Sequence, residues 1–310
     1  MPVLTGTRGR QRLSILNYHR VLTARDTMFP GIHTGDEFRW QMRLLAEHFN
    51  PLPLDKALAL LQREELPERA VCVTFDDGYA DNLTNAAPIL AEFGVPATIF
   101  IATGFIGGGL MWNDAIYEFF RNAAPGSYRA GPVEHVLAES SDLAERRRAA
   151  HTVILGLKYL PFGERRQAVE NLTAGASHLP TNLMLDLPQL RTLSAMAGID
   201  LGAHTQSHPI LTQIDDRRAE EEIQRSGEEL RNMTGQDISL FAYPNGRPGT
   251  DYEQKHCDMV ARSGFRAALT THWGVAHRGS DLYQIPRFTP WDRSPRRFLM
   301  RLLLNYRKPA

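Results

Sequence analysis

Two adjacent carboxylates, Asp76 and Asp77, close the apolar run Ala70-Val-Cys-Val-Thr-Phe75 and are followed by Gly78. Asp-Asp-Gly alone reads as a turn with a cap. The pair also has a chemical use. Neighbouring carboxylates do not both stay ionised at low cost unless a cation is present. A bound metal would take one and leave the other as a general base. Far downstream, His204-Thr-Gln-Ser-His208 follows the run Ile199-Asp-Leu-Gly-Ala203. Two imidazoles four apart share a face if the segment is helical, a spacing many metal sites use. Alone, that pattern more often marks two ordinary histidines. Two histidines and one carboxylate together make a metal face with positions open to water and substrate. On these grounds either aspartate serves as the ligand.

Such groups must be held by a frame. Apolar, β-branched runs at 13–18, 70–75, 97–102, 199–203, 239–242, 265–270 and 282–288 read as buried strands. Helical spacing predicts helices over 36–49, where Phe38, Met42, Leu45 and Phe49 share a face, and over 54–61, 215–233, 251–263 and 296–306. A helix over 81–93 is expected with Asp81 as its N-cap and Gly94 as its C-cap. Strands alternating with helices imply a mostly parallel sheet. The polar residues of interest, His19, Asp76, Asp77, His204 and Pro244-Asn245, fall just after strands. That is where parallel α/β folds bind ligands. The expected fold is α/β, a distorted, seven-stranded TIM-like (β/α) barrel forming a single catalytic domain over 1–310. The stretch 112–194 is helix-rich, carries arginine-rich faces and is broken near Pro125, Gly131, Pro161, Gly175 and Pro180. It reads as a helical insertion.

Composition narrows the function. The 310 residues carry 35 Lys+Arg and 35 Asp+Glu, and a net charge of zero argues against a protein built to grip nucleic acid. The two cysteines, Cys72 and Cys257, offer no disulfide framework and no CxxC metal knuckle. Residues 93–113 are uncharged, but Pro96 and five glycines suit a buried strand and loop better than a membrane span. Residues 1–12 are basic without an apolar stretch behind them, so no signal sequence is expected and the location expected is cytoplasmic. The basic, amphipathic segment 294–308 offers peripheral contact with an anionic membrane; its plain alternative is a helix packed on the barrel. Composition does not fix an oligomeric state.

TFDDG followed much later by HTxxH resembles the polysaccharide deacetylases of carbohydrate esterase family 4, the NodB-homology domain. LNYHRV (16–21), FAYPNG (241–246) and IPRF (285–288) look like the branch containing bacterial exopolysaccharide deacetylases. The resemblance covers about 13–104 and 186–290. It implies that Asp77, His204 and His208 bind one divalent metal, zinc first, with cobalt, nickel and manganese also suited. It implies that Asp76 is the catalytic base toward water, and that the backbone N–H of Asn245, after Tyr243-Pro244, helps hold the oxyanion.

This sequence departs from the family pattern in two places. Ala242 stands where many members carry an arginine that orients the base, and Arg287 is the candidate substitute, against a surface or helix-end arginine. The usual late LxH motif is not clear, although His272 and His277 lie in its region. In the exopolysaccharide branch that this chain resembles, the motif order looks permuted and the histidine of the N-terminal YH motif fills the acid role. That implies His19 as the general acid, against a strand-end histidine satisfied by its neighbours. Trp112, followed by Asn113 and Asp114, is placed in a sugar groove, against packing between insertion and core.

The function implied is metal-dependent removal of N-acetyl groups from an N-acetylhexosamine glycan or its precursor. Two alternatives stand beside it. One is action on an O-acetyl ester or another non-peptide C–N bond. The other is a silent glycan-binding relative, which would predict loss of metal ligands that are all present here.

Overall fold

The computed structural model describes residues 11–306. Seven strands form the frame: β1 (Arg12–Tyr18), β2 (Ala70–Phe75), β3 (Ala97–Ile101), β4 (Ile199–Ala203), β5 (Leu240–Ala242), β6 (Ala267–Trp273) and β7 (Ile285–Arg287). Each pairs in parallel with the next, from Ser14↔Val71 through Val73↔Ala97, Ala97↔Ile199, Ala203↔Phe241 and Leu240↔Ala267 to Leu269↔Ile285. The ring closes where Phe288 N–H donates to Ile15 O at 2.7 Å and Asn17 N–H donates to Phe288 O at 2.9 Å. The expected barrel is therefore present, with short β5 and β7 as its narrowest staves.

Residues two apart along a strand share a face. That alternation sends Leu13, Ile15, Cys72, Phe100, Ala242, Leu269 and Ile285 into one cluster, joined by Leu54 and Leu58 of helix 54–62. Six of the seven strands contribute to it, which identifies it as the barrel interior. The opposite faces meet the surrounding helices through Phe38 and Met42 (Gly35–His48), Leu190 and Leu193 (Leu187–Ser194), Ile223 and Leu230 (Asp216–Thr234) and Phe298 (Pro295–Asn305). Carried toward the carboxyl ends, the inward alternation places Asn17, Thr74, Asp76 and Arg287 inside, and all four are buried.

Polar burial at that end rests on a tight apolar layer. A Cβ on Gly202 would sit 2.4 Å from the Phe100 ring, so the bare glycine is what lets that ring fill the barrel. The Arg287 guanidinium lies over the same ring, 5.8 Å from its centroid.

Local expectations are corrected at three places. Asp81 does not cap a helix with its side chain; the segment begins as a wide turn, Asn82–Ala86, and continues as Ala87–Phe93. Asp81 instead pairs with Arg20 at 2.8 Å and accepts from Val21 N–H at 3.1 Å, tying down the chain after β1. Within 112–194, the strands Gly126–Ala130 and Val133–Leu137 form an antiparallel hairpin where only helix was anticipated. Their half-exposed alternation buries little beyond Ala130 and Leu137, so it carries a weak apolar signal. A separate core lies in this region, built from Ile116, Phe120, Val153, Leu157, Val169 and Leu172. Leu190 and Leu193, by contrast, pack into the layer between the barrel's outer face and its surrounding helices.

In the C-terminal segment, helix Pro295–Asn305 buries Phe298, Leu302 and Asn305 and exposes Met300 and Leu304. Residues 307–308 of that segment, and 1–10 of the N-terminal one, lie outside the described residues. Among the described residues no helix is long and apolar enough to cross a membrane.

Gly202→Ala is expected to cost about 1–3 kcal/mol, because the Phe100 ring is confined on all sides and cannot yield to the added methyl. Urea denaturation of the purified variant measures it; an unchanged midpoint would mean that the interior has slack.

Candidate active site

The chain leaves β2 through Asp76, whose N–H donates to Tyr18 O at 3.0 Å and so extends the pairing by one residue. Asp77 then turns with φ 81°, in the left-handed region that disfavours a side chain, and Gly78 follows with φ 90°. The reversal separates the two carboxylates. Asp76 points into the barrel and Asp77 over its rim.

Inside, Arg287 grips Asp76 with two parallel hydrogen bonds, Nη1 to Oδ1 and Nη2 to Oδ2, both 2.7 Å. Its Nε also donates to Thr270 O (2.8 Å), and Nη1 to Asn17 Oδ1 (3.0 Å) and Thr74 Oγ1 (3.3 Å). Asn17 Nδ2 also donates to Asp76 Oδ2 at 3.2 Å. Burial would raise the Asp76 pKa, but Arg287, helped by His204 and His19, holds it below the usual carboxylate range. Asp76 is thus a buried carboxylate that stays charged.

On the rim, Asp77 Oδ1 lies 3.4 Å from His204 Nε2 and 3.4 Å from His208 Nε2. The imidazoles are brought together without a helix, which corrects the helical placement of the HxxxH pair. Segment 204–208 is a loop with two left-handed residues, Thr205 (φ 62°) and His208 (φ 53°), and the ring centroids are 4.8 Å apart. Glu222 holds this loop by accepting from Gln206 N–H (3.0 Å), Ser207 N–H (2.7 Å) and the Ser207 hydroxyl. His204 Nδ1 lies 2.7 Å from the carbonyl of Ala242. A carbonyl only accepts, so Nδ1 carries a proton, and Nε2 is the nitrogen that faces Asp77.

Asp77 Oδ1 is buried and makes no hydrogen bond to a described residue. One orphaned carboxylate oxygen between two imidazole nitrogens, all within 4.8 Å of one another, is a donor set that fits a divalent cation. Burial opposes the charge on Asp77, but His204, His208 and His19 together pull its pKa well down. The two imidazoles move apart: burial is outweighed at His204 by Asp76 and Asp77, which raise it, whereas burial takes His208 down to about 4. His208 is therefore neutral at physiological pH and available as a ligand.

His19 follows β1, is half-buried, and lies near enough to favour the ionised forms of both aspartates. Asn245 has φ 59°, and its carbonyl accepts from the Thr271 hydroxyl at 2.6 Å. Two sequence expectations are placed elsewhere. Tyr243 does not line the rim: it is 1% exposed, stacks on Tyr252 at 3.9 Å and donates its hydroxyl to Tyr283 O. Trp112 is half-buried under Arg165, whose guanidinium lies 4.8 Å from its ring. Neither histidine of the late region joins the cluster. His272 is exposed, and His277 pairs with Arg12 at the beginning of β1.

Sequence reasoning missed Asn17, which touches both Asp76 and Arg287. A lone amide among the apolar residues of β1 is the signal that could have found it. Asp114, read with Trp112 as part of a sugar groove, is buried and accepts from Tyr79 Oη at 2.7 Å, with its pKa pushed up to about 7 by burial.

A family model described as Polysaccharide deacetylase matches residues 63–137 and 163–268. The curated protein YxkH of Bacillus subtilis (strain 168) is 23% identical over 278 residues, 89% of this chain and 70% of that protein. Among solved structures, the Streptococcus pyogenes deacetylase PplD, in complex with acetate, superposes with a TM-score of 0.63 at 20% identity, covering 94% of this chain and 98% of that one. IcaB from Ammonifex degensii superposes with a TM-score of 0.59 at 18% identity, covering 95% and 97%. These likenesses support the barrel as a shared fold.

Arg287→Gln is expected to cost about 3–5 kcal/mol near neutral pH, because it leaves the Asp76 charge buried and unpaired. The sign of the pH dependence follows from the depressed Asp76 pKa. In the parent, the pair's contribution is full above the unfolded carboxyl range and is lost as pH falls through the folded value. The variant's carboxyl instead gains by taking a proton. Urea denaturation at neutral and at mildly acidic pH should therefore show the gap between parent and variant narrowing on acidification. A constant gap would mean that Asp76 does not depend on Arg287.

Proposed function

Because this chain belongs to the polysaccharide deacetylase family, we propose that it is a divalent-metal-dependent hydrolase that removes N-acetyl groups from an N-acetylhexosamine-containing glycan or its precursor. The observation that carries this reading is the orphaned Asp77 Oδ1 facing two imidazole nitrogens, beside a carboxylate that Arg287 keeps ionised. Asp77, His204 and His208 are the residues to hold the ion, and their oxygen and nitrogen donors suit zinc first. When bound, the ion supplies a Lewis acid that polarises the acetamide carbonyl and makes water acidic.

The remaining steps fall to the chain's own side chains. Asp76 accepts the proton of the attacking water. Arg287 and Asn17 occupy three of the roughly four lone-pair directions of its carboxylate, leaving one open. Two strong donors lower its basicity but fix its orientation, and position matters first for a base that must act in one place. The Asn245 N–H, set by the left-handed turn and the bond to Thr271, is directed at the developing oxyanion. His19 protonates the leaving amine, without which an amide does not cleave. Tyr243 supports the Pro244-Asn245 turn from the core.

Acetate release from N-acetylglucosamine oligomers, with metal analysis of the same samples, tests the reading. Asp77→Ala and His204→Ala should lose both the stoichiometric ion and activity. Asp76→Asn should keep the ion and lose about 10²–10⁴-fold in kcat. Activity and metal content intact in Asp77→Ala and His204→Ala would overturn the proposal, and turnover of acetate esters in place of acetamides would move it to the esterase alternative.

A further inference from the structure

A buried cation without a counter-ion stands beside the site. Arg165, from helix Phe162–Thr173, is only 3% exposed. Its guanidinium is flanked by the rings of Trp112 (4.8 Å) and Phe162 (5.5 Å), and it donates through Nη1 to Lys158 O at 3.1 Å. No carboxylate of the described residues pairs with it, in contrast to Arg20, Arg121, Arg287 and Arg301. Its other donor nitrogens make no hydrogen bond to a described residue and are not among the side-chain atoms fully sealed away without a partner, so the fork keeps unused donors in a nearly buried setting. Burial holds its pKa down to about 10, the mark of a charge stripped of water without compensation.

The segment around Arg165 spans the two loops that frame the cluster. On one side the Phe162 ring lies 4.1 Å from the Arg218 guanidinium. Arg218 approaches Glu222, the same carboxylate that holds Gln206 and Ser207 beside His208. On the other side Tyr159 donates to Asp251 at 3.3 Å, and Asp251 accepts from the N–H of Arg247, two residues past Asn245. Residues 158–165 therefore bring an unpaired guanidinium and a half-buried ammonium to the side of the two loops that carry His208 and Asn245.

Resting on the deacetylase reading, we propose that Arg165, with Lys158, forms a subsite for an oxyanion, phosphoryl or carboxylate, carried by the substrate next to the N-acetylhexosamine that reacts. A guanidinium fork matches either group with paired hydrogen bonds, and stacking on Trp112 fixes the plane in which it does so. The substrate class is then an anionic glycan or a sugar phosphate rather than a neutral homopolymer.

Calorimetric binding to the metal-loaded protein tests this with three probes: N-acetylglucosamine 1-phosphate, N-acetylglucosaminuronic acid and the neutral methyl glycoside of N-acetylglucosamine. At least one anionic probe should bind about tenfold tighter than the neutral one, the least that a charge-assisted hydrogen bond supplies. Which of the two does so separates phosphoryl from carboxylate. Arg165→Met should erase the preference, and Arg165→Lys should restore part of it. Equal binding of all three probes by the parent, or a preference that survives in Arg165→Met, overturns the proposal. Should Arg165→Met fail to fold, the parent's preference, its loss in high salt and its dependence on Lys158→Met decide the matter. Acetate release from neutral oligomers by the parent reports separately on the deacetylase reading, so the two can fail independently.

Discussion

Arg287 and Asp76 meet inside the barrel with almost no water, and much of the molecule is arranged so that they can. Each ion alone would be costly there; together they are held by two parallel hydrogen bonds and by Asn17, Thr74 and Thr270. Arg287 has a carbonyl, an amide, a hydroxyl and a carboxylate as acceptors, so little of its hydrogen-bonding capacity is wasted. Buried pairs of this kind are weak grounds for net stability, because hydrophobic substitutes of the same shape often do as well. Their value here is positional. The pair fixes a charged carboxylate at one spot beneath the rim, and the Phe100 ring under Arg287 prevents the assembly from sinking.

The rim above is built by a different device. Asp77, Thr205, His208 and Asn245 all adopt left-handed backbone conformations, which non-glycine residues reach only at some cost. In each case a hydrogen bond holds the conformation: Ala102 N–H to the carbonyl of Asp77, His208 N–H to the Thr205 hydroxyl, the Thr271 hydroxyl to the carbonyl of Asn245. The strain is repaid by direction. A chain leaving a strand with ordinary dihedrals would carry Asp77 or His208 past the opening instead of across it.

Much of this frame was legible from residue order alone. The strands at 70–75 and 199–203 are apolar, β-branched or small and sharply bounded, so pattern and structure coincide there. The strand predicted over 282–288 shrinks to Ile285–Arg287 because residues 281–284 form a turn, closed by Gln284 N–H donating to Asp281 O at 3.0 Å. Asp81 has the composition of a cap, but Arg20 outcompetes the helix end for it. The spacing of His204 and His208 suggested a helix because a four-residue interval is helical by default; the φ angles of Thr205 and His208, which sequence does not display, bring them together differently. Asn17 and Arg165 escaped attention for a common reason. Their importance lies in what tertiary structure puts next to them, and no local pattern encodes that.

The span of the Arg287 contacts has a consequence for how the protein comes into being. Arg287 joins Asp76 across 211 positions and Asn17 across 270. During synthesis the first strands, with Asp76, leave the ribosome long before the arginine that makes its charge tolerable. Until residue 287 emerges, that carboxylate must stay hydrated, and β1 lacks the neighbour that Phe288 supplies. The nascent chain can form helices and local sheet but cannot dry its interior. Such dependence on non-local contacts predicts slow, late cooperative closure.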